Sequence, residues 1–159
     1  MKGLRLSLLL VMLISSCNHK ITEKEIPGEV IVIVELIKNK KKSQKELKEF
    51  TKKYSDYVKS TEPNTLGWTY HDAGDRIMLV ERYKDEDANI VTAKNISPGG
   101  NRYKLLQESL DYHAIAEITV MGGFTQKLID FNKMTAEKVG FTAPFLYYPL
   151  ISGYSKSLK

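Results

Sequence analysis

Residues 29–37 read EVIVIVELI. Alternate residues of a strand point to opposite faces, and here both sets are apolar and β-branched, with Glu35 as the interruption. Such a segment predicts a strand buried on both sides and central in its sheet. The flanking elements therefore have to supply two covers.

Downstream, KNKKK (38–42) is a solvated loop, and Ser43 with Glu46 forms a capping box that opens a helix. Leu47, Phe50, Tyr54 and Tyr57/Val58 recur at helical spacing with lysines between them, giving one stripe that packs on a sheet. The helix must stop before Pro63. EPNTLGWTYHDAG (62–74) follows as a strand, with Leu66, Trp68 and Tyr70 on one face and Gly67, Thr69 and His71 on the other. A turn at Asp72–Asp75 leads into RIMLVERY (76–83), so the two strands form an antiparallel hairpin. Residues 84–96 carry acids in the first turn and read as a helix, broken by Pro98-Gly99-Gly100 and resumed in RYKLLQESL (102–110). A strand over Ala114–Gly122, a helix opened by Thr125 and an extended run near FLYYPLISGY (145–154) complete the chain. The order β-α-β-β-α-β with an appended helix and strand predicts an α+β fold, the ferredoxin-like split βαβ arrangement with an antiparallel sheet. Its helices cover one face only. A second copy of the same sheet is the simplest cover for the other, so a homodimer is expected.

Upstream, Lys2 and Arg5 precede an apolar run, Leu6–Ile14, that is too short to span a bilayer and reads as a signal peptide. LISSC (13–17) ends on the only cysteine and resembles the lipobox of bacterial lipoproteins. Residues 1–16 are then a leader, Cys17 is the lipidated N-terminus, 17–28 is a polar tether in which His19 is solvated, and 29–159 is one domain anchored to the cell envelope. The leader's two basic residues inflate the formal charge of +5. Nucleic-acid binding loses its main support with them. With Cys17 acylated, no disulfide is possible. The three histidines are isolated, PGG and MGG lack the Lys-Ser/Thr of a phosphate loop, and no serine has a nucleophile-elbow context. Neither a metal nor a cofactor is expected.

EPNTLGWTYH (62–71), MLVERYKDEDA (78–88), EITVMGG (117–123) and PLISGYSK (149–156) resemble, in order and spacing, successive signatures of the antibiotic biosynthesis monooxygenase (ABM) domains. The resemblance covers most of Glu29–Lys156 and implies a homodimeric α/β barrel. It rests on a Glu-Pro turn, Glu62-Pro63, and on an E-x-Y/W-x-D-x-x-A motif, here Glu81, Tyr83, Asp85 and Ala88. The tail resembles a longer subgroup with an extra C-terminal helix and strand. One departure stands out: where many members carry a histidine four residues after the motif alanine, this chain has Thr92, with Asn95 at a recurring polar position. That departure counts against haem degradation and against proton transfer at Thr92.

The resemblance implies an oxygenase that uses no metal or flavin and lets oxygen react with the anion of a quinol or another small aromatic. Such chemistry needs an apolar pocket, a hydrogen bond to the oxyanion and a base. Candidate catalytic residues are Trp68 and Tyr70 as walls, Asn64 as holder of a substrate oxygen, and His71 as base; His113 is a second possible base. Glu81, Tyr83, Thr92, Asn95 and His113 are the candidate substrate-binding residues. Each also has a structural reading. Trp68 and Tyr70 suit a dimer-interface core, His71 a solvated hairpin, His113 a helix-to-strand junction and Asn64 the turn after Pro63. Glu81 shares parity with Ile77 and Leu79, so its carboxylate points inward and needs a partner, with Arg76 or Arg82 of a second subunit or a backbone amide as candidates. The alternative function is a non-catalytic module of the same fold that binds a small ligand or supports assembly.

Overall fold

A computed structural model describes residues 28–153. The leader, Cys17, His19 and the tail from Tyr154 lie outside the described residues. The elements are β1 (Val30–Lys38), α1 (Gln44–Thr61), β2 (Thr65–Ala73), β3 (Arg76–Tyr83), α2 (Glu86–Ile96), α3 (Tyr103–Ser109), β4 (His113–Gly122), α4 (Gln126–Val139) and β5 (Phe145–Pro149). They form an α+β fold with one five-stranded sheet in the order β2-β3-β1-β4-β5. The doubly apolar segment is the middle strand, as its pattern requires.

Neighbours are antiparallel except β4 and β5, which run parallel, so the sheet is mixed where a wholly antiparallel one was expected. The cause is the appended unit: α4 returns the chain to the starting edge of the sheet, and a strand reached by such a crossover runs parallel to its predecessor. At the end of β4, Gly122 has φ +116°, and a Cβ there would stand 2.1 Å from the Glu29 carbonyl oxygen. Only glycine lets β4 close so tightly on the start of β1.

Local signals fix the helices. Ser43 Oγ accepts from the Glu46 amide at 3.2 Å, and Glu46 Oε2 accepts from the Ser43 amide at 2.8 Å, completing the capping box. Asp85 opens α2 by accepting from the Ala88 amide at 2.9 Å. Thr125 stands at the head of α4 but its side chain makes no cap bond. Its amide donates to Glu86 Oε2 at 2.8 Å and its hydroxyl to the same oxygen at 2.9 Å, so one carboxylate serves the starts of α2 and α4.

All four helices send side chains to the face of β1 that carries Val32, Val34 and Leu36. Val30, Val120 and Leu128 are fully buried in that layer. On the opposite face Ile31, Ile33, Met78 and Val80 are only half-buried. They are flanked by the ion pairs Arg76–Glu35 and Arg82–Glu29. The chain by itself supplies one of the two covers that its central strand calls for.

Candidate functional site

The helix layer and the sheet do not close completely on one another. Between them lies a cavity of about 110 Å³, walled mostly by apolar side chains. That is on the order of the space that holds one benzene-sized ring in a protein core.

One wall is β2. Trp68 and Tyr70 point inward, opposite Glu81 and Leu79 of β3. Tyr54 of α1 stacks on Trp68, with ring centroids 5.6 Å apart and planes 15° from parallel. The Arg102 guanidinium carbon lies 4.9 Å from the Trp68 ring centroid and 5.4 Å from that of Tyr54. A planar, weakly hydrated guanidinium is the cation best suited to such aromatic faces.

Arg102 is 1 % exposed, the most deeply buried charge among the described residues. The backbone before it explains how it arrives there. A Cβ on Gly100 would lie 2.4 Å from the carbonyl oxygens of Lys94 and Asn95, so glycine alone allows the chain to fold flat against the end of α2. The Arg102 amide then donates to Asn95 O at 2.8 Å, and the side chain is directed back beneath the sheet.

Its counter-ion is Glu62, the residue that caps α1 and is 4 % exposed. Glu62 Oε1 lies 3.0 Å from Arg102 Nη1 and accepts from Asn95 Nδ2 at 2.9 Å. Oε2 accepts from the hydroxyls of Thr92 and Thr65, the latter at 3.3 Å. A carboxylate at a helix C-terminus opposes the helix dipole. Four side-chain partners hold it there nonetheless. Nε, Nη1 and Nη2 of Arg102 all lack a hydrogen-bond acceptor among the described residues, so the contact with Glu62 is an ion pair rather than a hydrogen bond.

Glu81 is the second buried carboxyl of the site, and the Tyr83 hydroxyl donates to its Oε2. Burial pushes its pKa up to about 7. Burial also raises the phenols of Tyr83 and Tyr70 well above their usual range, and Tyr54 to about 12. His113 lines the far side of the cavity, edge-on to Phe50 at 6.5 Å, and burial lowers its pKa to about 4. At neutral pH it is uncharged.

The structure therefore brings Trp68, Tyr70, Glu81, Tyr83, Thr92, Asn95 and His113 to the cavity or to the buried network beside it. It does not bring Asn64 or His71. Asn64 is exposed on the turn after α1, where its carbonyl accepts from the Lys84 amide at 3.0 Å. His71 is exposed on the outer face of the sheet, its ring 2.9 Å from Thr69 Oγ1. Strand parity already separates it from Trp68 and Tyr70, which rules it out as a base inside this cavity. The partner of Glu81 also differs from expectation. It is Tyr83, because Arg76 and Arg82 lie on the outer face and pair with Glu35 and Glu29.

Five contributors were not singled out as site residues from the sequence: Arg102, Tyr54, Asn89 and Asn132 on the cavity wall, and Glu62 as the buried charge beside it. An acid at a helix C-terminus, where the dipole penalises it, was the available signal for Glu62. Among the described residues no group of three or more His, Cys, Asp or Glu converges as a metal site.

No protein-family model matches the chain, and no curated protein matches it. Its structure is similar to the crystal structure of MupZ from Pseudomonas fluorescens, with a TM-score of 0.59 and 17 % identity over 80 % of this chain and 94 % of that one. The likeness is one of fold. It spans most of both chains, so the sheet and the helix layer are shared.

Proposed function

We propose that this protein is a cofactor-independent monooxygenase of the ABM type, acting on a quinol or another single-ring aromatic, with two copies joined into a dimeric α/β barrel and Cys17 holding them at the cell envelope. The observation that carries the reading is Arg102, a buried cation stacked on Trp68 and Tyr54 beside a ring-sized apolar cavity. Oxidising an aromatic hydroxyl with oxygen passes through an electron-rich anion. A cation fixed in a water-poor site stabilises that anion without reorganising when it forms. Trp68 and Tyr70 offer the ring aromatic faces to pack against.

Oxygen uptake by the purified protein over a panel of quinols and polyphenols tests this reading. Uptake is expected with at least one single-ring member, and Trp68→Ala is expected to reduce it at least tenfold. Absence of uptake across the panel, with ligands that still raise the melting temperature, would replace the oxygenase by the second reading, a binding module on the same fold. That reading draws on the histidines: His71 lies on the outer face and His113 is a weak base at neutral pH.

The dimer is supported by the half-buried strip of Ile31, Ile33, Met78 and Val80 in the middle of the outer face. Ile33 and Val80 are direct cross-strand partners, so a charge at either enters the centre of the strip. Sedimentation should find a dimer for the native protein and a folded monomer for Val80→Asp. A native monomer at tens of micromolar would remove the barrel from the proposal.

A further inference from the structure

We infer that Glu81, held by Tyr83 on the cavity wall, is the group that takes the acidic proton of the ligand, while Arg102 keeps the resulting anion. The inference deepens the cavity reading above and rests on that cavity being a ligand site.

Geometry carries it. Glu81 is buried, lines the cavity and stands directly across from Trp68 in the β2–β3 register. The Tyr83 hydroxyl donates to Oε2, which orients the carboxyl and leaves Oε1 for a ligand. The other bases are weaker, engaged or misplaced. His113 also lines the cavity and its ring nitrogens have no hydrogen-bond partner among the described residues, but burial lowers its pKa to about 4, which makes it the weaker base. Glu62 is committed to Arg102, Thr92, Asn95 and Thr65. His71 lies on the other face of the sheet.

The groups that face Glu81 set its protonation. Tyr83 on β3, Tyr70 on β2, Tyr54 and Glu62 from α1 and its cap, Arg102 ahead of α3 and His113 on β4 are the titratable ones. β1 and α2 present uncharged side chains there, among them Val32, Asn89 and Thr92. Burial raises the Glu81 pKa to about 7, with Glu62 adding to the rise and Tyr83 and Arg102 opposing it. A carboxyl tuned to neutral pH exchanges protons in both directions under ordinary conditions.

The step is a simple transfer. The ligand O–H bond breaks, an O–H bond forms on Glu81, and the electron pair stays on the ligand oxygen. Before transfer the buried charges are Glu62, Glu81 and Arg102. Afterwards the negative charge of Glu81 has moved to the ligand, so the cavity gains no net charge.

Infrared difference spectroscopy on the full chain at pH 8 tests this, with 4-cyanophenol as probe and 4-methylbenzonitrile as the ring without an acidic proton. With a pKa of about 7, Glu81 is mostly ionised in the free protein at that pH. Binding of the phenol should produce the carbonyl band of a protonated carboxyl. That band should be lost in Glu81→Gln and shifted in Tyr83→Phe, which removes one hydrogen bond from the carboxyl. The benzonitrile should bind without the band. A band with both probes would mean that the ring merely desolvates Glu81, and it would overturn the inference. Binding of the phenol with no band would overturn it too, while the cavity reading stood. No binding by the native protein would end both. The band without oxygen uptake would keep the proton transfer and discard the oxygenase.

Discussion

Replacing Arg102 by methionine is expected to cost about 3–5 kcal/mol of folding free energy, the usual cost of removing one partner from a buried ion pair. The side chain is 1 % exposed and its neighbours are ring faces and Glu62, so methionine fills much of the volume without replacing the charge. What remains is a Glu62 carboxylate under the end of α1, with Thr92, Asn95 and Thr65 still donating to it and no other cation paired with it among the described residues. The melting temperature should fall on the order of 10 °C for a domain of this size. In urea the midpoint should move while the slope stays constant, because the surface exposed on unfolding is unchanged. Adding Glu62→Gln to Arg102→Met should recover more than half of the loss, since the amide keeps its hydrogen-bonding neighbours and removes the unpaired charge. A cost under about 1 kcal/mol for the single change, or no recovery in the double, would mean that the pair is not a structural tie between α1 and the α2–α3 connection.

That pair also marks where reading the sequence runs out. The fold was legible because its signals are local or periodic. The doubly apolar run 29–37 gave the central strand, the Ser43–Glu46 box gave the start of α1, Pro63 its end, and Pro98-Gly99-Gly100 the break between α2 and α3. The parallel pairing of β5 was not legible, since strand direction depends on where α4 returns the chain. Among candidate site residues, parity sorted Trp68 and Tyr70 from His71 correctly once the inner face was known. Arg102 was hidden by its surroundings in the sequence. An arginine after a glycine break, ahead of Tyr-Lys, has the pattern of an exposed helix start, and only the Gly100 contact with the end of α2 turns it inward. Its partner Glu62 lies forty residues away in the chain. Charge pairs at that separation leave no periodic trace, so the buried network had to be seen in three dimensions.

Glu81→Gln is expected to remove one of the two largest pH-dependent contributions to stability on the cavity wall, the other being that of His113. In the folded protein the Glu81 pKa is raised from 4.5 to about 7, so the folded state holds this proton more tightly than the unfolded chain. Its contribution to stability is complete below the unfolded value. It is lost as pH climbs through the folded value, where the carboxylate must be charged inside the fold. The full swing is about 3 kcal/mol between pH 4 and pH 8. His113 acts in the opposite sense, since its pKa is lowered from 6.5 to about 4 and the folded state resists protonation. The contribution of His113 is complete above its unfolded value and is lost as pH falls towards 4. The two slopes nearly cancel and together predict a broad native maximum at about pH 5.5, and the difference between native protein and Glu81→Gln isolates the carboxyl. At pH 5 the variant should be no more stable than the native protein, because glutamine replaces a neutral carboxyl of nearly the same shape. By pH 8 it should be more stable by about 2–3 kcal/mol, because no buried charge has to form. Urea titrations at these two pH values decide it. A difference that does not grow with pH would mean that Glu81 stays ionised throughout, with Arg102 outweighing burial, and the carboxyl would then have no proton capacity to offer a ligand at neutral pH.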